Sequence, residues 1–242
     1  MDNIEVWEDT VKVCNTSGLV DLPPQSTKFT HSITVKSNTS VKKKRKAAEI
    51  KVLNDDTFDV AKQLIDVGNN PLVLNMANHR IAGGGVRNGA RAQEECLFRR
   101  SNYYQTLTPD LYPIEDDEMI YSPKVTVIKD REYNYCDFWS CSCLAIAALR
   151  KKRFSSYYDD DDLVIMLSKV RAMFEAAIEY GHDSLVLGAF GCGAFHNPPY
   201  TVANIFKQVC AEYLHCFKKI YFAVLSPPGN MNYEVFNNVL ND

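Results

Sequence analysis

The feature of this sequence that most constrains its fold is a succession of buried strand, glycine-rich loop and helix that occurs twice. The first copy has a strand at 72–76, glycines at 83–85 and a helix over 94–107. The second copy has a strand at 184–187, a glycine loop at 188–195 and a helix over 200–213. Because strands that alternate with helices pack in layers, this order predicts a three-layer α/β/α domain with helices on both faces of the sheet.

Hydrophobic periodicity predicts further elements around these two copies. We expect helices over 4–14, 58–67, 163–180 and 233–240, and strands at 48–53, 124–129, 141–149 and 219–225. Val11 and Val13 also alternate as they would in a strand, so the first of these helices has an alternative. Residues 109–118, rich in proline and acidic residues, predict a long surface loop. Four aspartates at 159–162 favour a helix cap over a cation site, because carboxylates stabilise helix N-termini.

Length and composition place the chain among ordinary globular proteins. It has 242 residues, of which 46% are hydrophobic and 24% charged, enough for one large α/β domain. We therefore predict a single catalytic domain over 1–242, with 1–48 as an N-terminal extension packed on it. The first residues lack a basic segment followed by an apolar one, and no apolar run reaches about 18 residues. We expect an intracellular monomer, cytoplasmic or nuclear, without a membrane partner.

Cysteine and charge patterns narrow the chemistry. The eight cysteines are scattered, which predicts reduced thiols, and Cys136, Cys141 and Cys143 lack the paired spacing of a zinc site. We expect no metal. The net charge of −3 means that an anionic ligand must be held by local dipoles and amides.

The basic run at 42–46 has three interpretations: a nuclear localisation signal, a nucleic-acid patch, or a solvated loop. The solvated loop is favoured, since no aromatic residues interleave the basic ones.

The first glycine loop leads directly to a pair of carboxylates. Gly83, Gly84 and Gly85 allow close approach of the backbone to a ligand, and Glu94 and Glu95 follow in the first turn of the predicted helix. Adjacent carboxylates in a partly desolvated site cannot both ionise cheaply, so one can hold a proton near neutral pH. Neighbouring helical positions project about 100° apart, and we therefore expect the two glutamates to have different functions.

Alternative interpretations of these residues exist. Two glutamates at a helix N-terminus are more often partners of the helix dipole than catalytic groups. Cys192, four residues before His196, resembles a thiolate nucleophile with its base, but a small residue in an anion-binding loop is the better interpretation. Neither loop is followed by a Walker lysine or has the GxGxxG spacing, which disfavours a nucleoside triphosphatase.

The run from Gly83 to Glu95 resembles the signature of a known family. Three glycines, seven intervening residues and then Gln93-Glu94-Glu95 are typical of the microbial-type poly(ADP-ribose) glycohydrolases, a catalytic branch of the macrodomain fold. The resemblance extends to residues 74–78, 187–198 and 222–224 and covers most of the chain from about Val52 onward. It implies a macrodomain-like mixed sheet, and a hydrolase that cleaves the ribose–ribose O-glycosidic bonds of poly(ADP-ribose) without a cofactor.

The resemblance also implies a role for each residue of the first loop. Glu95 would be the general acid that protonates the departing ribose oxygen and then, as a carboxylate, activates water. Glu94 would orient the reacting ribose, and Gln93 would brace the loop. The ligand-binding residues implied here are Asn78, which would hold a ribose hydroxyl, and Gly83, Gly84, Gly85 and Val86, which would wrap the ribose and a phosphate.

The second loop would hold the rest of the ligand. The resemblance implies that amides of Gly191, Cys192, Gly193 and Ala194 cradle the diphosphate, that Phe195 packs beside the bound ribose, and that Asn197 also contributes. Two positions depart from the family pattern: Ala82 stands where a proline often precedes the glycines, and His196 either lines the pocket rim or is an exposed loop residue.

The expected partners are poly(ADP-ribose) or ADP-ribosylated macromolecules. The nearest alternative is a hydrolase of single ADP-ribose groups on protein or nucleic acid. A further alternative is a non-catalytic module that binds ADP-ribose through the same loops. Because binding alone does not require a proton donor, the presence of both Glu94 and Glu95 favours an enzyme.

Overall fold

The computed structural model of the chain describes residues 2–16, 18–31, 46–151 and 157–241. Residues 42–45 of the basic run lie outside the described residues, so a localisation signal there stays a hypothesis. The chain divides into two compact units. The first unit comprises Met1–Phe29 and Asn75–Ala147, and the second comprises Thr30–Leu74 and Ala148–Asp242. This division does not show whether residues 1–48 form an extension packed on a single catalytic domain, so that arrangement stays a prediction.

The helices and strands follow the predicted alternation. The helices are α1 (Asn3–Asn15), α2 (Thr57–Asp66), α3 (Gln93–Arg100), α4 (Asp160–Glu179), α5 (Pro199–Glu212) and α6 (Asn232–Asn241). The strands are β1 (Thr27–Thr30), β2 (Glu49–Leu53), β3 (Pro71–Met76), β4 (Glu118–Lys129), β5 (Tyr135–Ile146), β6 (Ser184–Leu187) and β7 (Lys219–Ala223). None of the described helices has the length and apolar composition needed to cross a bilayer.

The first unit contains a long antiparallel hairpin and two helices. Strand β4 lies between β1 and β5, and it pairs with β5 in the register Tyr121–Leu144. Predicted strands at 124–129 and 141–149 are confirmed in place, but both begin several residues earlier. Helix α1 packs against α3, with the rings of Trp7 and Phe98 6.2 Å apart.

The second unit is built from parallel strands in the order β3, β6, β7, β2. The final residues of β3 belong to the first unit. All four residues of β6 are buried, as a strand covered on both faces requires. An aromatic cluster of Phe206, Phe222 and Phe236 joins α5, β7 and α6, with ring centroids 5.1 to 6.2 Å apart.

Helix ends follow local capping chemistry. Asp159 caps α4 by accepting from the backbone N–H of Asp162, whose side chain accepts in return from the backbone N–H of Asp159. The predicted cap is therefore confirmed. The prediction of a helix over 94–107 is wrong at its C-terminal end, because α3 ends at Arg100. There Ser101 adopts an extended conformation and pairs with Val127 of β4, an interaction between distant parts of the sequence.

A fully buried lysine connects α1 to β4. Lys129, at the end of β4, donates from Nζ to the Val6 carbonyl (3.1 Å) and to Thr10 Oγ1 (2.9 Å). It also forms an ion pair with Asp9 Oδ2 at 2.7 Å. Its ammonium lies 5.3 Å from the centre of the Tyr135 ring. These partners satisfy a charge that would otherwise be costly to bury, so they hold α1 on the hairpin.

We expect Lys129→Met to destabilise the protein by about 2 to 4 kcal/mol, because Thr10 and Asp9 lose the cation that compensates their desolvation. Lys124→Met is the matched control, since Lys124 is half-exposed and lies 3.6 Å from Asp21. Its loss should change the free energy of unfolding by less than about 1 kcal/mol. Urea unfolding followed by circular dichroism measures both, and equal effects would contradict a special role for Lys129.

Candidate active site

Glu94 is buried at the start of α3, and both of its carboxylate oxygens accept hydrogen bonds. Its Oε1 accepts from the backbone N–H of Gly83 (3.1 Å) and from Asn75 Nδ2 (3.3 Å). Its Oε2 accepts from the backbone N–H of Asn78 (2.7 Å). These donors come from the end of β3 and from the glycine loop. Glu94 therefore fastens the loop to the strand that precedes it.

The pKa of Glu94 reflects opposing effects. Burial of the carboxyl raises its pKa most, the N–H donors of Asn78, Asn75 and Gly83 lower it, and the negative charge of Glu95 raises it; the net pKa is about 8. Burial exceeds the other effects because the side chain is almost completely removed from water. Near neutral pH, Glu94 is therefore able to hold a proton.

Glu95 is also buried but is held differently. Its Oε1 accepts from the backbone N–H of Gly85 at 2.8 Å. Its Oε2 is buried and has no hydrogen-bond partner among the residues that the structure describes. A buried polar atom without a partner is uncommon in folded proteins and points to a ligand or a catalytic role. Of the two glutamates, Glu95 is the one with an oxygen available to a ligand.

The conformation of the glycine loop requires glycine. Gly84 has φ +51°, and a Cβ placed on it would lie 2.6 Å from Glu95 Oε1 and 3.2 Å from Glu94 Oε2. Gly83 has φ +74°, and its Cβ would lie 2.5 Å from the ring of Phe98. Any side chain here would displace either the carboxylates or the packing of α3. The three glycines thus allow backbone and carboxylates to lie in contact.

Three other predicted residues lie in the same unit as this loop. Asn78 Oδ1 accepts from the backbone N–H groups of Arg80 (2.8 Å) and Ile81 (3.3 Å). Gln93 Oε1 accepts from the backbone N–H of Met76 at 3.0 Å and so contacts the end of β3. Val86 is buried, and its amide donates to the Gly83 carbonyl at 3.0 Å. The predicted first-loop residues are therefore brought together.

The second glycine loop lies in the other unit and is organised by Asn197. The Asn197 amide group donates to the carbonyls of Leu149 (2.7 Å) and Gly191 (3.0 Å), and its Oδ1 accepts from the hydroxyl of Tyr158. Gly191 has φ +73°, and a Cβ there would overlap Asn197. Asn197 is 2% exposed, so the structure shows it holding the loop; a contact with ligand stays a prediction.

The remaining residues of the second loop differ in their hydrogen bonds, contacts and backbone conformation. The backbone amides of Gly193 and Ala194 donate no hydrogen bond within the described chain. Phe195 has the guanidinium of Arg150 over its ring at 5.8 Å. Burial raises the pKa of the Cys192 thiol, which keeps the thiol protonated and opposes the alternative of a nucleophilic cysteine. His196 has φ +58°, in the left-handed region.

Two residues that sequence reasoning missed support these loops. Asn75 is a fully buried amide within the apolar strand β3, and it contacts Glu94. In the sequence, Asn75 stands out as a single polar residue inside the apolar run 72–76, a pattern that could have indicated a buried polar contact. Tyr158, which contacts Asn197, had no comparable signal, because it precedes the aspartates without any periodic pattern. Within the described part of the chain, no three His, Cys, Asp or Glu side chains could share a metal ion.

This arrangement of loop and carboxyls defines a class of site. A glycine loop at the carboxyl end of a strand holds two buried carboxyls, one fully bonded and one with a free oxygen. Such a pair suits proton transfer to a ligand that the loop backbone can approach closely. The class is that of an α/β protein whose site is suited to acid–base chemistry.

Comparison with known families identifies the chain. The family described as "Microbial-type PARG, catalytic domain" matches residues 10–130, half of the chain, and this range includes Glu94, Glu95 and the glycine loop. The chain therefore belongs to the microbial-type PARG family. At the level of the family, the prediction of a poly(ADP-ribose) glycohydrolase is confirmed. Among curated proteins, none matches this chain.

Solved structures are similar over nearly the whole chain. A poly(ADP-ribose) glycohydrolase from Thermomonospora curvata is 22% identical, with 98% of each chain covered and a TM-score of 0.83. The same organism's enzyme bound to the inhibitor ADP-HPD is 24% identical over 98% of each chain, with a TM-score of 0.81. The Deinococcus radiodurans enzyme in complex with ADP-ribose is 24% identical over 94% of this chain and 98% of that chain, with a TM-score of 0.81. The predicted macrodomain-like α/β fold is confirmed.

We expect Gly84→Ala to lower kcat/KM by about 10²-fold, because the added methyl group must displace the two buried carboxylates. Gly68→Ala is the matched control, since Gly68 has a similar left-handed φ of +80° but open space around it. The control should lose only about 1 kcal/mol of stability from backbone strain. Activity assays below the unfolding transition compare the two, and equal activity would contradict the requirement for close contact.

The raised pKa of Glu94 has a consequence for stability. The folded protein binds this proton more tightly than the unfolded chain, so the stabilisation is complete below about pH 4.5 and is lost as pH rises towards about 8. We expect the free energy of unfolding of the unmutated protein, relative to Glu94→Gln, to fall by roughly 3 to 5 kcal/mol across this window. Denaturant titrations at several pH values measure this difference. A difference that stays constant or increases with pH would contradict it.

Proposed function

We propose that the chain hydrolyses the ribose–ribose O-glycosidic bonds of poly(ADP-ribose), with Glu95 as the proton donor. The observation that carries this proposal is the buried, unpartnered Oε2 of Glu95 beside the glycine loop. A proton on Oε2 has no acceptor among the described residues, so it is free for the departing ribose oxygen. After the bond breaks, the same oxygen takes a proton from the attacking water.

The hydrogen-bond geometry of the two carboxyls supports Glu95 rather than Glu94 as the proton donor. Glu94 has a pKa raised to about 8, but both of its oxygens already accept backbone N–H groups. To protonate a leaving group, an acid must lie within hydrogen-bond reach of it, which is a condition prior to its pKa. Glu95 Oε2, which has no partner among the described residues, is the oxygen that supports this assignment. The partly protonated Glu94 instead limits the negative charge that accumulates beside Glu95.

Glu94 and Asn78 together are suited to orient the reacting ribose, because Glu94 Oε2 accepts one N–H only and keeps a lone pair that can accept from a ribose hydroxyl. Because Asn78 Oδ1 is already bonded to two backbone N–H groups, its amide Nδ2 is the group that remains for a ligand hydroxyl. The backbone N–H of Asn78 donates to Glu94 Oε2 at 2.7 Å, and this hydrogen bond fixes the Glu94 side chain relative to residue 78. A sugar whose hydroxyls bond to this pair would have a defined orientation before the bond is cleaved.

The second loop supports a phosphate-binding role. The amides of Gly193 and Ala194 are without acceptors in the described chain, and Gly191 has the left-handed conformation typical of loops that bind anions through successive amides. Gly193 has no side chain and open space beside it, so a phosphate can approach its amide. ADP-ribose, the ligand of the Deinococcus radiodurans structure, contains a diphosphate of the kind these amides would bind.

The test compares the unmutated protein with Glu95→Gln on poly(ADP-ribose) and on protein carrying single ADP-ribose groups. We expect Glu95→Gln to lose at least ~10²-fold in rate, because an amide cannot donate the proton that the leaving oxygen requires. Its affinity for ADP-ribose, measured by calorimetry, should stay within threefold of the unmutated value. Glu8→Gln is the control, since Glu8 is exposed on α1 and the charge change is identical.

The rates and affinities of the unmutated protein and of Glu95→Gln distinguish the candidate functions. Equal rates for Glu95→Gln and the unmutated protein would contradict a general acid at this position. Binding of ADP-ribose without turnover of either substrate by the unmutated protein would favour the non-catalytic module. Turnover of singly modified protein without turnover of polymer would favour the hydrolase of single ADP-ribose groups.

A further inference from the structure

Three exposed arginines flank the catalytic glycine loop. Arg80 precedes the glycines, Arg87 lies in the short 3₁₀ turn Val86–Asn88, and Arg91 directly precedes α3. Within the described part of the chain, none of these three forms an ion pair with a carboxylate, and Arg80 donates from Nε to His79 Nε2 at 3.2 Å. The loop therefore presents three uncompensated positive charges to solvent.

The backbone that carries Arg87 and Arg91 is held in place from several directions. The Ala90 amide donates to the Gly85 carbonyl (3.2 Å), which closes the loop on itself. Asn3 of α1 donates to the Gly89 carbonyl at 3.0 Å, and the buried Arg99 donates to the Ala90 carbonyl at 2.7 Å. The two side chains consequently extend from a fixed support.

These cations are unfavourable for the isolated protein. The N-terminus of α3 carries a partial positive charge, and cations near such an end are destabilising. The acidic residues at the start of α1 do not offset them, because Asp2 and Glu5 form a capping box within their own helix. In a chain with a net charge of −3, a local excess of positive charge beside the catalytic carboxyls suits an anionic ligand.

We propose that Arg87 and Arg91, with Arg80, form a surface that binds phosphates of poly(ADP-ribose) repeats beyond the unit being released. This inference rests on the proposed function, since it concerns the same substrate. Every repeat of the polymer carries a diphosphate, whereas a single ADP-ribose group offers only the one held at the site. The surface therefore favours long polymer over short substrates, and its contribution weakens as salt concentration rises.

The experiment uses the double variant Arg87→Gln/Arg91→Gln in the full chain. Its matched control is Lys12→Gln/Lys124→Gln, which removes the same charge from exposed positions on α1 and β4. Hydrolysis is measured with long polymer and with a substrate of two ADP-ribose units, at two salt concentrations. Binding of both ligands is measured in parallel in the Glu95→Gln background, where hydrolysis does not interfere.

For the double arginine variant, we expect kcat/KM on long polymer at low salt to fall by about 10-fold through KM, because two phosphate contacts are lost. The slope of log(kcat/KM) against log[salt] should become less negative by about 1 to 1.5, which corresponds to two contacts on a flexible polyanion. Kinetics on the two-unit substrate should change far less. The lysine control should behave as the unmutated protein does.

Failure of this inference can be told apart from failure of the proposed function. An unmutated protein that hydrolyses neither substrate would contradict the proposed function, while the binding measurements would still test the surface. Polymer hydrolysis and binding that are unchanged in the arginine variant, or equally reduced in the lysine control, would overturn the inference. Binding of single-stranded DNA is measured with the same variants; its loss in the arginine variant with unchanged polymer hydrolysis would assign the surface to nucleic acid and would also overturn the inference.

Discussion

The interaction on which this structure depends is the set of hydrogen bonds from loop amides to two buried glutamates. Removing adjacent carboxyls from water is costly, and the cost is offset when N–H groups point at their oxygens or when one carboxyl holds a proton. The amides of Gly83 and Asn78 do this for Glu94, and that of Gly85 does it for Glu95. The left-handed glycines, the position of Phe98 and the end of β3 all follow from this requirement.

The unequal distribution of donors gives two chemically similar residues different surroundings. Glu94 accepts at both oxygens and so has a structural role even where it is protonated, whereas Glu95 accepts at one oxygen only. The donors thus leave one carboxyl bonded at both oxygens and the other with an unpartnered oxygen, and the proposed division of roles rests on this difference. The same logic separates the loops, since Asn197 is saturated by carbonyls while the neighbouring Gly193 and Ala194 amides remain available.

Most elements and the first-loop residues could be predicted because their signals are local. Apolar runs, glycines and caps fix β3, β6, α2 and α4 without reference to distant residues. The end of α3 could not be predicted, because Ser101 pairs with Val127, and neither residue carries a signal of that pairing. The contact of Asn75 with Glu94 was also beyond prediction, since an amide in a strand does not indicate its partner. Long-range partners, rather than propensity, account for these gaps.

Helix α1 shows how distant packing supports the first glycine loop within the first unit. The buried Lys129 binds α1 to β4, while Asn3, at the other end of the same helix, holds Gly89. Between these points Trp7 packs on Phe98, whose ring lies against Gly83. A loop with several left-handed residues would be flexible on its own, because glycine loses the most conformational entropy on ordering. By ordering it during folding, α1 and α3 reduce the entropic cost that a ligand would otherwise meet on binding. The buried lysine, remote in sequence from the glutamates, therefore contributes to the organisation of the site through packing.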